Sequence, residues 1–335
     1  SGELLSDGDL QLTLDADLHN SGPIAVKRDA TLSARNLIQN HGQILSGNDI
    51  QLRVRDVLHN LGVLSAARHL QLNATQLNND GSLGSQGNLL ISANVANTGL
   101  LFSGGDLHIR CEHFSNLEGD VYSVGDFSFA AADGGQATSF RNLSGTVESE
   151  GNLHIKALEF ENARTVLALE RELVGGSIQW VCGQHCDGDD SFKRGTIYIT
   201  ETWRETAAPG STKAARLVAG QQLYIDADTL ENRYSLMAAN GDMHLSARRL
   251  LNQGAASQAG LSSTIIGTPG RIDKALWDQM EFHDLPAFNS APFDPLRFAE
   301  LKARSEGPGF SSPGTLTTWR EDGREVYAAT LQAGG

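Results

Sequence analysis

Residues 105–121 read Gly105-Asp106-Leu107-His108-Ile109-Arg110-Cys111-Glu112-His113-Phe114-Ser115-Asn116-Leu117-Glu118-Gly119-Asp120-Val121. Leu107, Ile109 and Cys111 alternate with polar residues, a period of two that belongs to a β-strand with one face inward. Phe114 stands two positions before Asn116, and Val121 follows Gly119. Gly, Asp and Asn at the breaks supply turn chemistry.

The same pattern recurs on both sides. Gly8-Asp9-Leu10-Gln11-Leu12, Asn48-Asp49-Ile50-Gln51-Leu52, Gly87-Asn88-Leu89-Leu90-Ile91, Gly125-Asp126-Phe127-Ser128-Phe129, Gly151-Asn152-Leu153-His154-Ile155 and Gly241-Asp242-Met243-His244-Leu245 repeat the first strand. With weaker copies at Asp29, His69 and Gln222, the polar position falls at 9, 29, 49, 69, 88, 106, 126, 152, 222 and 242. A second column reads Leu18/Asn20, Ile38/Asn40, Leu58/Asn60, Leu77/Asn79, Val95/Asn97, Phe114/Asn116, Phe140/Asn142, Phe160/Asn162, Leu230/Asn232 and Leu250/Asn252. A third apolar column comprises Ile44, Val63, Leu83, Leu101, Val121 and Val147. A period near twenty with two or three short strands per repeat is one coil of a solenoid. The expected fold is all-β, a right-handed parallel β-helix. Ten coils at about 4.8 Å each make a rod of roughly 50 Å.

Gly-Asp/Asn-Leu-x-Ile/Leu followed by Leu-x-Asn-x-Gly resembles the filamentous haemagglutinin repeats of two-partner-secreted exoproteins. The likeness covers roughly residues 4–162 and 220–256. Val181-Cys182-Gly183-Gln184-His185-Cys186, followed by Ile197-Tyr198-Ile199 and a resumed repeat, is similar to the central receptor-binding region of CdiA-type contact-dependent growth inhibition effectors. The resemblance implies a secreted, outer-membrane-associated filament. It also implies an outer-membrane protein or lipopolysaccharide of a target bacterium as receptor, and an outer-membrane transporter for export. A host-cell or glycan adhesin of the same superfamily is the alternative, and a glycan-cleaving β-helix enzyme a remoter one.

Composition bounds these readings. A net charge of −14 argues against a nucleic-acid partner, which would favour a basic surface. No apolar run is long enough to span a bilayer. No N-terminal signal is read, so an exported protein would contain this chain as an excerpt. The chain is expected to act as a monomer, without cofactor or metal, and not as an enzyme. Asp9, Asp29, Asp49, Asp106, Asp126 and Asp242 align, but they align in a turn role that Asn also fills.

Four segments are expected: β-helix over 1–162, a hairpin insertion over 163–219, resumed coils over 220–256, and a non-repeat tail over 257–335. In the insertion, Ile178–Cys182 and Thr196–Thr200 are rich in strand formers and flank the polar Asp187-Gly188-Asp189-Asp190. The tail holds Pro269, Pro286, Pro292, Pro295, Pro308 and Pro313 of the chain's 8 prolines. Thr268-Pro269 and Asp294-Pro295 read as N-cap followed by N1 proline, giving short helices near 270–283 and 295–304. Glu321-Asp322-Gly323-Arg324 reads as a turn between two final strands.

Cys111 occupies the inward position filled elsewhere by Leu14, Ala34, Val54, Ala74, Ala93, Ala131, Ala157, Ala227 and Ala247, and reads as core filler. Cys182 and Cys186, with three residues between them, are most simply a local disulfide. With His185 and Asp187 they could instead supply zinc ligands, though the cluster is compressed. The Asp187–Asp190 run lacks the spaced ligands of a calcium loop. Receptor-binding candidates are the aromatic, basic and imidazole side chains outside the repeat: Trp180, His185, Lys193, Arg194, Tyr198, Trp203, Arg204, Trp277, Phe282 and Phe288. Trp, Tyr and Arg are favoured interface anchors. The competing reading is that they pack the insertion and tail.

Overall fold

Each short strand of the repeat pairs in parallel with its equivalent one coil on. Leu107, His108 and Ile109 pair with Phe127, Ser128 and Phe129, which pair in turn with Leu153, His154 and Ile155. The structure, a computed structural model, describes residues 2–39, 41–188, 190–267, 271–306 and 311–335. Side chains are described there except at 257, 311–314 and 321–326. The chain divides into two units. One comprises Ser1–Leu167, Ser211–Gly254 and Tyr327–Gly335, the other Ala168–Gly210 and Ala255–Val326.

The first unit is a parallel β-solenoid, as its sequence period requires. An 11-stranded sheet runs from Leu4–Ser6 to Thr330–Ala333, and a 15-stranded sheet carries the other strands of the coils. Alternation sends Leu107, Ile109, Phe114 and Val121 inward, each with 1% or less of its surface exposed. Burying side chains of this size stabilises by about 1.5–3 kcal/mol apiece. Phenylalanines fill the middle coils, with Phe114 stacked on Phe140 at 4.7 Å and Phe140 on Phe160 at 5.5 Å.

Two side-chain ladders follow from the coil repeat. Asn60, Asn79, Asn97, Asn116, Asn142, Asn162, Asn232 and Asn252 form one, each Nδ2 donating to the next Oδ1 at 2.7–2.9 Å. Parallel stacking brings identical amides into register, so each buried amide is satisfied by its neighbour. The second ladder stands at the motif's polar position. Oδ1 of Asp9, Asp29, Asp49, Asn88, Asp106, Asp126 and Asn152 each accepts the backbone N–H one coil on, and His69 Nδ1 does the same for Asn88. The requirement there is an acceptor, which explains why Asp and Asn interchange. Glycines mark close approaches between coils: a Cβ at Gly99 would lie 2.0 Å from the Gly81 carbonyl oxygen.

One coil in each of two columns sits one residue away from its expected place. Leu37 and Gln39, not Ile38 and Asn40, pair with Leu58 and Asn60. Gln39 is fully buried and donates to the Gly42 carbonyl at 3.0 Å, while Asn40 lies outside the described residues. Leu64, not Val63, pairs with Ile44 and faces inward. Adjacent apolar residues (Leu37-Ile38, Val63-Leu64) leave the alternation ambiguous, and the coil register decides it.

The insertion leaves the stack continuous. Thr146–Ser149 pairs directly with Arg216–Ala219, and Asn162 donates to Asn232 at 2.8 Å.

The second unit holds an antiparallel sheet in the order Leu169–Gln184, Phe192–Ala207, Ala255–Gly267, Ser311–Tyr327. Its helices are Lys274–Gln279, Leu285–Ser290 and Pro295–Ser305, with a π-turn at Met280–Asp284. The last helix is capped by the Asp294 side chain, with Pro295 at its first position. The first helix is capped by Asp273, whose side chain accepts from the Ala275 and Leu276 amides. The expected Thr268-Pro269 start lies outside the described residues. Glu321-Asp322-Gly323-Arg324 is not a hairpin turn. The strand runs unbroken from Ser311 to Tyr327, and Thr330–Ala333 then joins the solenoid parallel to Leu236–Ala239. A reversal at 321–324 would make the last two strands antiparallel partners, whereas the chain instead returns its final strand to the parallel stack.

Candidate functional site

Pairing in the antiparallel sheet assigns its paired, described side chains to one of two faces. Residues directly opposite in an antiparallel ladder share a face. Ile178 pairs with Ile199 and Trp180 with Ile197, which pairs with Ile266. These form the inner face and pack with Trp277, Met280, Leu285, Phe288, Phe298 and Leu301 of the helical segments. Trp180 and Trp277 meet edge to face at 5.0 Å, and Trp180 Nε1 donates to Ser305 Oγ at 2.9 Å. Gly176 lets the last helix approach, since a Cβ there would lie 2.5 Å from Phe298 Cε2.

The opposite, outer face carries the exposed side chains of the described residues. Tyr198 pairs with Gln179 and Ile265, Val181 with Thr196, Thr200 with Ser263, and Thr202 with Leu261. Thr315 and Thr317 bond the inner-face Thr264 and Ser262 at 2.8 and 3.2 Å, which turns Leu316 outward. Val181, Tyr198, Leu261, Ile265 and Leu316 are all exposed, from 41% at Tyr198 to 71% at Leu316. Outward positions 179–181, 196–202 and 261–265 carry no charge, although the chain's net charge is −14. An uncharged patch of aliphatic residues and one tyrosine, set among threonine hydroxyls, has the composition of an interface centre.

The candidates read from the sequence separate on this geometry. Trp180, Trp277 and Phe288 are buried in the inner core. Lys193 is also buried, paired with Asp278 at 2.7 Å and Glu281 at 3.7 Å. Its charge is thereby neutralised inside the unit, where an unpaired ammonium would be costly. Trp203 is half-buried and pairs with Gly260 on the inner face. Arg194 and Arg204 are half-buried. Phe282 is exposed, with the Lys193 ammonium 5.1 Å from its ring. His185 is exposed, bonded to Asp190 at 2.9 Å and against Phe192 at 4.5 Å. Tyr198 lies on the outer sheet face, and the same alternation puts Arg194 and Arg204 on that face at the two ends of the strand.

Val181, Leu261, Ile265 and Leu316 were not among those candidates. The signal was present in Thr264-Ile265-Ile266, a β-branched run that reads as strand. Locating it on a face required the register with Phe192–Ala207.

Cys182 and Cys186 are joined in a disulfide next to the strand end, with Cα atoms 5.8 Å apart. Cys111 is a free, buried thiol whose pKa burial pushes up to about 12. No group of three or more His, Cys, Asp and Glu side chains among the described residues is arranged to hold a metal ion.

The family described as haemagglutinin repeat matches residues 5–62, 44–168 and 207–266. The chain is 26% identical, over 100% of its length, to a tRNA nuclease CdiA of Escherichia coli O6:K15:H31 strain 536 and to that of Escherichia coli strain NC101. A Toxin CdiA of Escherichia coli is 28% identical over 76% of the chain. The chain spans 12% of the length of the first two relatives and 10% of the third. No solved structure matches it.

Proposed function

The chain belongs to the haemagglutinin-repeat family, and from that membership we propose that it is the receptor-binding region of a CdiA-like, two-partner-secreted surface effector. The solenoid is the scaffold. The outer face of the inserted sheet is the recognition surface, and it binds an outer-membrane protein of a neighbouring bacterium. The observation that carries this reading is the cluster Val181, Tyr198, Leu261, Ile265 and Leu316, apolar and exposed on a regular sheet. Recognition commonly resides in non-repeat segments displayed on a rigid frame. The role is binding, not turnover, because the aligned carboxylates of the coils are occupied in backbone hydrogen bonds. The export transporter would engage other parts of the longer protein.

The receptor class is tested by adding fluorescent chain to intact Gram-negative target cells before and after surface proteolysis. The proposal expects saturable binding that falls at least tenfold on shaved cells. Binding that survives proteolysis but disappears from cells with truncated lipopolysaccharide would transfer recognition to the saccharide and contradict a protein receptor.

A further inference from the structure

The outward column of the first solenoid strand changes character along the stack. It reads Gln11, Thr31, Gln51 and Gln71 in the early coils, then ends His154, Tyr224, His244. These last three rings stack nearly parallel, with centroids 4.6 and 4.7 Å apart and planes within 9°. The next outward column on the same strands is Lys156, Asp226 and Ser246. Between the two columns runs a groove of about 470 Å³, within the range of small-molecule sites.

A second departure from the repeat meets the first at this groove. The coil starting at Asp126 is 26 residues long instead of about 20. The excess forms a turn in which the Gly134 amide donates to the Ala131 carbonyl at 2.9 Å, with Gly134 at φ +84. From this turn Gln136 Nε2 donates to Asp226 Oδ1 at 3.2 Å, and the Gly134 carbonyl accepts from Lys156 Nζ at 3.3 Å. The extra loop therefore holds the polar wall opposite the rings. Nothing in solenoid packing demands either feature, since the early coils stack without them.

We propose that this groove is a saccharide-binding site, separate from the outer face of the inserted sheet, and that its ligand is an oligosaccharide of a bacterial surface polysaccharide. One wall is an aromatic ladder. The other offers a carboxylate, an ammonium and an amide, so it can both accept and donate. A sugar has apolar C–H surface and hydroxyls that act as donor and acceptor together, and it satisfies both walls at once. A purely apolar ligand would leave Asp226 and Lys156 desolvated, at a cost. An anion would meet Asp226, and a cation Lys156. The ladder spans three coils, long enough for a short chain of sugar units lying along it.

The experiment applies the intact chain to an array of bacterial surface oligosaccharides, then titrates the tightest binder by calorimetry. Tyr224→Ala and the pair Lys156→Met/Asp226→Asn should each weaken binding at least tenfold. Gln51→Ala, in the same column of an early coil, and Leu261→Asp, on the inserted sheet, should leave it unchanged. Circular dichroism verifies the fold, and if Tyr224→Ala disturbs it the polar pair decides. An array with no bound saccharide overturns the proposal. So does binding undiminished in the groove variants, or binding lost only in Leu261→Asp.

Discussion

At the scale of single residues, buried ladder positions and exposed turn positions look alike in sequence yet differ in what they tolerate. Asn116 Nδ2 donates to Gly119 O at 2.9 Å, Asn142 Oδ1 at 2.9 Å and Thr146 O at 3.2 Å, and its Oδ1 accepts from Asn97 at 2.7 Å. Asn116→Ala removes these and leaves the buried Asn97 amide short of a partner, at a cost of about 1–3 kcal/mol for an orphaned group. Asp106 contributes one acceptor, Oδ1, to the Asp126 amide at 2.9 Å. Asp106→Asn keeps that acceptor and should change stability by less than about 0.5 kcal/mol. Urea unfolding followed by far-ultraviolet circular dichroism checks both. Equal effects would mean that the amide ladder adds nothing beyond the turn. Both columns were legible as repeats because stacking repeats identical chemistry. Their positions slipped at Gln39 and Leu64, where two apolar neighbours made either parity plausible and only inter-coil hydrogen bonds choose.

Among elements, the Pro295–Ser305 helix shows how the inner core of the second unit is tied together. Asp284 accepts from Arg304 at 2.7 Å and lies 3.6 Å from Arg297. Hydrogen bonding to Arg304, chiefly, holds the Asp284 carboxyl below its ordinary 3.8. A carboxylate depressed in the folded state adds stability that is complete above 3.8 and is lost as pH falls from there through the folded value. Arg304→Met should therefore destabilise the unit at neutral pH, and the difference from the parent should shrink once the pH is well under 3.8. All four tryptophans, at 180, 203, 277 and 319, lie in this unit, so their fluorescence in denaturant titrations reports on it selectively. A difference that persists unchanged at acid pH would show that Arg304 acts through packing and not through Asp284. The helix itself was readable from Asp294-Pro295. The Ala255–Gly267 strand went unread: its Thr264-Ile265-Ile266 end reads as strand, but the rest carries neither the solenoid's period nor an aromatic marker. The Ser311–Tyr327 strand was misread because Asp322-Gly323 is common in turns, and pairing within the sheet overrode that local preference.

At the scale of the whole molecule, the division of labour is between sameness and difference. The early coils present much the same columns repeatedly, which suits a scaffold and gives a protein partner no unique register there. The inserted sheet presents a single non-repeating face. The sequence reading put recognition in the insertion and the tail but favoured their largest aromatics. Trp180, Trp277 and Phe288 are large because they fill the inner core, and the outward residues are mostly modest aliphatics beside threonine. The most direct test of the central claim compares attachment of three chains to target bacteria by flow cytometry, with circular dichroism on each. One is the parent, one carries Val181→Asp, Leu261→Asp and Ile265→Asp, and one carries Gln11→Ala, Gln51→Ala and Gln71→Ala on the early coils. The account predicts at least tenfold loss for the sheet variant, with both variants folded and the coil variant attaching as the parent does. A folded sheet variant that attaches normally while the coil variant fails would place recognition on the solenoid and contradict it.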